Sequence, residues 1–168
     1  DGIHLFAAAQ DAVSVINAYP PDSTAVLSTL RFRGWSVVGL ETSPGRLLVI
    51  DQRYTGVSAV GFLLYDVSDL GSPKLVQNLT MAGTYVAARL AQGYAYGVVQ
   101  QPSYVFGTGG NATGVLPVVM ENGSASSLEP ASVFYTPNKA QVSYYTMLAS
   151  VSMTTGKSEV ISALTGPS

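Results

Sequence analysis

The chain has 168 residues, enough for one domain with a sizeable core, and its eight Lys/Arg and ten Asp/Glu leave a net charge of −2. So thin a spread of cations gives no electrostatic footprint for nucleic acid, and no apolar run approaches the ~20 residues of a membrane-spanning helix. Zero cysteines exclude disulfides, thiolate metal sites and a cysteine nucleophile.

The strands predicted in chain order are Ile3–Ala9, Ala12–Ala18, Ala25–Phe32, Trp35–Glu41, Leu47–Gln52, Val60–Val67, Leu75–Met81, Tyr85–Leu90, Ala95–Gln100, Tyr144–Ser152 and Glu159–Leu164. Each is rich in Val, Leu, Tyr or Thr and is bounded by Gly, Pro, Asp or Ser. No window carries a helical apolar period. Charged residues are only 11 % of the chain, against ~25 % in an ordinary soluble domain, while 47 % is hydrophobic and patterned. The outer surface is therefore expected to be Ser, Thr, Gly, Asn, Gln and Tyr, a covering that suits a protein dressed with sugar.

A repeat runs through these strands. Residues 25–34, ending in Leu30-Arg31-Phe32-Arg33-Gly34, align without a gap on residues 74–83, ending in Leu79-Thr80-Met81-Ala82-Gly83, at a constant offset of 49. Gly34 and Gly83 close the two copies as turn glycines, and a weaker third copy lies in 150–166. A period in the forties made of short strands predicts an all-β fold of antiparallel four-stranded propeller blades. The expected repeats are about 3–45, 46–93 and 94–166 within a single partial domain at 1–168. Two to three blades make an incomplete ring, since propellers typically have four to eight. The remaining blades, or copies of this chain, are thus expected as partners. Reaching the third copy requires about 35 extra residues, which predicts a long inserted loop at 103–141.

Several motifs, including Ala18-Tyr19-Pro20-Pro21, Leu64-Tyr65-Asp66-Val67-Ser68-Asp69, Ser72-Pro73-Lys74-Leu75-Val76 and Gly83-Thr84-Tyr85-Val86-Ala87-Ala88-Arg89-Leu90, resemble the N-terminal portion of a secreted C-terminal beta-propeller domain found mainly in archaea. Glu129-Pro130-Ala131-Ser132-Val133-Phe134-Tyr135-Thr136-Pro137 is similar to that domain's long loop. The resemblance implies an extracellular or surface-anchored protein with several more blades. It brings no catalytic residues with it.

Three sequons, at Asn78, Asn111 and Asn122, satisfy N-x-[ST] and point the same way. Strand alternation predicts that Asn78 points outward with Val76 and Thr80, opposite Leu75, Leu79 and Met81. Asp66 and Asp69 flank a strand end before a Gly-Ser-Pro turn, so capping of backbone N–H groups is favoured over metal or acid/base work. His4 is the only histidine and stands in the first strand, with no Gly-x-Ser-x-Gly elbow to serve. Glu121 and Glu129 read as loop solvation rather than a glycosidase pair. The ten tyrosines and the single Trp35 read as strand and core residues before sugar platforms. No catalytic, cofactor or metal site emerges. The favoured function is an extracellular or cell-surface structural and interaction module of unknown ligand, with surface glycans considered as partners beside the remaining blades. The alternatives are part of a secreted hydrolase acting on polysaccharide or peptide, and a self-assembling surface-layer or filament subunit pairing through strand edges.

Overall fold

A computed structural model describes residues 3–54, 56–107, 110–135 and 143–166. The chain opens with an antiparallel meander of β1 (His4–Ala9), β2 (Ala12–Asn17) and β3 (Ala25–Arg31). A second antiparallel meander follows, made of β4 (Ser36–Ser43), β5 (Arg46–Arg53), β6 (Ala59–Asp66) and β7 (Lys74–Ala82). The third sheet begins with β8 (Thr84–Ala91) and β9 (Tyr94–Pro102). Before it continues, the inserted segment forms a hairpin of β10 (Tyr104–Phe106) with β11 (Ala112–Gly114), a second of β12 (Val118–Glu121) with β13 (Ser124–Ser127), and the short β14 (Val133–Phe134). β15 (Tyr144–Ser152) and β16 (Ser158–Thr165) then complete the sheet in the order β8-β9-β15-β16. All eleven strands expected from the sequence are present with ends within two residues. The described residues form an all-β array of antiparallel blades that does not close into a ring.

The described part of the expected long inserted loop is built of short strands that cover sheet edges. The β12–β13 hairpin adds to β7 through Val119↔Met81 and Met120↔Thr80, extending the second sheet. β14 lies parallel beside β16 through Val133↔Ser162 and Phe134↔Ala163. Uncovered edges present a row of unpaired N–H and C=O groups, and the insertion blunts two of them. Thr108, Gly109 and 136–142 of the expected loop lie outside the described residues.

The sequence repeat and the sheets are out of phase by one strand. Expected repeat 3–45 contains the whole first sheet and then β4, which belongs to the second; repeat 46–93 likewise ends on β8 of the third. The chain leaves each sheet at its last strand and enters the next through a glycine. Gly34 has φ +78° and Gly83 φ +130°, both in the region where an L side chain is strained. At Gly83 a Cβ would also run into the Gln100 carbonyl oxygen, so the turn is closed as well as left-handed. By the same correspondence β1–β3 match β5–β7, and a counterpart of β4 is absent from the first sheet among the described residues.

The middle sheet is buried on both faces, which explains why Leu47-Leu48-Val49-Ile50 is a continuous apolar run. Leu48 and Ile50 join Phe62, Leu79 and Met81 against Val99, Met147 and Ala149 of the third sheet. Leu47 and Val49 face the other way, onto Val13 of the first and Phe32 just after it. All four residues of that run are at most 1 % exposed, and each such side chain contributes about 1.5–3 kcal/mol through burial.

Candidate functional site

The two interfaces of the middle sheet differ in one row of side chains. Val37, Asp51, Gly61 and Thr80 are consecutive cross-strand partners across β4, β5, β6 and β7. The third sheet has the matching row Tyr85, Val99, Met147 and Ser162. A bulge directly after Val37 and another directly after Tyr85 set the correspondence. Both rows face the preceding sheet. Where the second interface places Val99 and Met147, each fully buried, the first places a carboxyl and a glycine.

The result is a groove of about 250 Å³ between the first and second sheets. Its aromatic wall is Phe32, Trp35 and Tyr65, and its polar lining is Asp51, Asn78, Thr80 and Arg31. Gly61 is required there because a Cβ would run into Asp51 Oδ1. Asp51 is 3 % exposed and its Oδ1 has no hydrogen-bond partner. Burial pushes its pKa up to about 6, against the opposing pull of backbone hydrogen bonds from Gly61 and from Asp51 itself. Tyr65 is pushed up to about 12, first by burial and then by the negative charge of Asp51. Thr80 Oγ1 donates to Asn78 Oδ1 at 3.1 Å, leaving the Asn78 amide nitrogen for other contacts. Among the ion pairs of the described residues, none joins Arg31 to Asp51. A second groove of about 460 Å³, lined by Gln10, Asp11, Gln52 and Tyr54, shares Trp35 with the first. The Arg53 guanidinium stands 5.2 Å from the Trp35 ring centroid.

Sequence reasoning did not single out Asp51 or Gly61. The available signal was a carboxylate inside the run Leu47–Gln52 opposite an interior strand glycine, which marks a close approach.

The residues that sequence reasoning did select are spread over the fold. Asn78 is half-buried and faces the first sheet, a different setting from the open surface expected, because both faces of its sheet are covered. A bulge opposite Leu64 and Tyr65 also breaks the expected alternation at Val76, so that Leu75 is exposed while Gln77, Leu79 and Met81 share the buried face. Asn111 is exposed. Asn122 is exposed at the β12–β13 turn, where Asn122 and Gly123 have φ +49° and +86°. Its Oδ1 accepts from the Asn78 N–H at 3.0 Å, and its Nδ2 donates to Gln77 Oε1 at 2.7 Å. Asn-Gly is the strongest short-range hairpin signal, and it announces this unforeseen turn.

Glu121 belongs to the same cluster and not to a carboxylate pair with Glu129. Its Oε1 accepts from Gln77 Nε2 and from Ser158 Oγ, both at 2.6 Å, tying the inserted hairpin to the second and third sheets. Glu129 instead begins the short turn at Pro130–Ser132, with its carbonyl accepting from Ser132 Oγ at 2.7 Å. Asp66 Oδ1 accepts the Ser68 N–H at 2.9 Å, and Asp66 also pairs with Arg46. The Ser68 hydrogen bonds, with Arg46 behind them, pull the Asp66 pKa down to about 2. Asp69 Oδ1 accepts the Gly71 N–H at 3.0 Å. His4 opens β1. Among the tyrosines, Tyr145 is core, Tyr94 and Tyr96 lie tilted to one another with centroids 6.3 Å apart, and Tyr104 meets Phe106 edge-on at 5.3 Å. Among the described residues no three His, Asp or Glu groups are arranged to hold a metal.

Neither the curated proteins nor the solved structures contain a match to this chain. A family model does match, over residues 1–168, and its description is Beta propeller domain. The repeat, the unclosed antiparallel sheets and that full-length match agree, and the chain belongs to the Beta propeller domain family.

Proposed function

We propose that this chain is a structural and interaction module of an extracellular or cell-surface glycoprotein, acting through sheet faces that other blades or other copies of the chain cover. The observation that carries the reading is the outer face of the third sheet. Val98, Leu148 and Ile161 are cross-strand partners on the face opposite the core residues Val99 and Met147. Ala163 and its partner Phe134 extend the same face, with Ile161 53 % and Phe134 66 % exposed. The corresponding side of the second sheet carries Phe62, Ile50 and Leu48 and is sealed by the third. A contiguous apolar face of this kind marks an interaction surface. The low charge and the three sequons support a surface setting, as does the resemblance to secreted propeller domains.

Light scattering after gel filtration tests the reading at micromolar to sub-millimolar concentration. The chain should self-associate, and Leu148→Lys should return it to a monomer with an unchanged β-sheet spectrum. A monodisperse wild-type monomer that binds no hydrophobic dye would overturn the proposal. For the setting, protease treatment of intact source cells should remove the protein while cytoplasmic markers survive. Survival of the protein alongside those markers would refute a surface location.

A further inference from the structure

The groove between the first and second sheets has a composition that blade packing does not require. At the equivalent interface the same row is filled by Val99 and Met147, so an apolar row at this position is compatible with the fold. Asp51 and Gly61 replace that packing with an underused acceptor, whose Oδ1 takes the space a Cβ at Gly61 would fill, beside a groove of about 250 Å³. A buried carboxyl oxygen without a partner weakens the fold, which argues that its place is kept for something other than stability.

The lining selects the class of ligand. A calcium ion needs six to eight oxygen ligands, and here one carboxylate is accompanied by the Arg31 guanidinium, which repels cations. An anion is repelled in turn by Asp51. A neutral ligand with hydroxyls on one side and C–H groups on the other matches both walls. Its hydroxyls meet Asp51, Asn78, Thr80 and Arg31, while its apolar face lies against Trp35, Phe32 or Tyr65. At about 250 Å³ the groove is smaller than the ~300–1,000 Å³ that drug-sized ligands occupy, and suits one ring.

We infer that this groove seats a single pyranose ring, supplied either by a glycan carried on Asn78 or by a glycan of another molecule. The Asn78 side chain lines the groove, so a sugar attached to its amide nitrogen starts there. The inference deepens the surface-module reading and rests on it only for the supply of glycans. Its test is separate, because the outer face of the third sheet and the groove belong to different interfaces.

Trp35 is the only tryptophan, so its emission reports on the groove directly. Unglycosylated protein from a host without N-glycosylation is titrated with glucose, galactose, mannose and N-acetylglucosamine. Trp35 emission and saturation-transfer NMR follow the titration. In parallel, protein from the source cells is mapped for hexose on the Asn78 peptide, and Trp35 emission is compared before and after enzymatic deglycosylation, with Asn78→Gln as control. A saturable response to a free sugar supports a ligand from another molecule. An occupied Asn78, with a Trp35 shift on deglycosylation that Asn78→Gln abolishes, supports the protein's own glycan. Asp51→Val, which copies the next interface, should stay folded and weaken the free-sugar response at least tenfold, or remove the deglycosylation shift. Failure of both arms overturns the inference, as does an Asp51→Val protein that responds like wild type.

Discussion

Replacing Asp51 by Val should make this protein more stable at neutral pH, and the gain should shrink in acid. The carboxyl is 3 % exposed, and burial raises its folded pKa to about 6 from the ordinary carboxylate value near 3.9. For an acid whose folded pKa is raised, the folded state holds the proton more tightly than the unfolded state does. Its ionisation penalty therefore vanishes below about pH 4, where both states are protonated. Stability falls as pH rises from about 4 to about 6, and then levels off. Two pKa units correspond to roughly 3 kcal/mol of lost stability at pH 7. Val removes that penalty but leaves part of the space over Gly61 that the carboxyl filled and gives up the pull of the nearby Gly61 and Asp51 backbone N–H groups. A net gain of about 1–3 kcal/mol remains at pH 7.5 and shrinks by about 2 kcal/mol at pH 4.5. Urea unfolding followed by Trp35 emission at the two pH values measures both quantities. Asp66 does not confuse the result, because its pKa of about 2 lies below the ordinary value. Its contribution is complete above about pH 4 and is lost only as pH falls toward 2. Equal wild-type stability at pH 4.5 and 7.5, or an Asp51→Val protein less stable at pH 7.5, would refute the reasoning.

The two repeat glycines should differ in their tolerance of alanine. Gly34→Ala, with open space around the site, should cost about 1–2 kcal/mol for its left-handed φ, while Gly83→Ala adds a collision with the Gln100 carbonyl and should cost more; urea midpoints rank the pair. Gln77→Leu should cost about 1–3 kcal/mol by removing the hydrogen bonds of Gln77 to Glu121 and Asn122, and hydrogen exchange should show residues 118–127 losing protection before the sheet centres do; uniform loss would contradict a tie at this point. Mass mapping of native material should find hexose on at least one sequon, Asn111 being exposed and clear of the Gln77 cluster; three unmodified asparagines would remove the glycoprotein reading.

Much of this architecture was legible because strands announce themselves locally. Val-, Leu- and Tyr-rich segments ended by Gly, Pro or Asp placed all eleven main strands, and the offset of 49 between β3 and β7 revealed the repeat. The phase of that repeat was not legible, because similarity between copies is unchanged when the starting point moves by one strand. Only hydrogen bonding shows that β4 pairs with β5 and that a turn separates it from β3. The inserted strands were missed for another reason. β10, β11 and β14 have two or three residues each and derive their form from partners, as β14 does from β16.

The groove shows where a one-dimensional pattern loses its meaning. Alternation assigns one face to the core and the other to solvent, an assumption that held for neither Asn78 nor Asp51, since neighbouring sheets cover both faces of the middle sheet. Inside such a sheet the informative comparison is between one interface and the next, in register. That register is offset by 48 from Asp51 to Val99, by 86 from Gly61 to Met147 and by 82 from Thr80 to Ser162, because the insertion and unequal turns intervene. No single sequence offset could align the row. Once hydrogen bonding aligns it, the contrast between Asp51 with Gly61 and Val99 with Met147 separates what a blade needs for packing from what this interface keeps open. The same contrast explains why the stabilising change and the change expected to weaken sugar binding are one substitution.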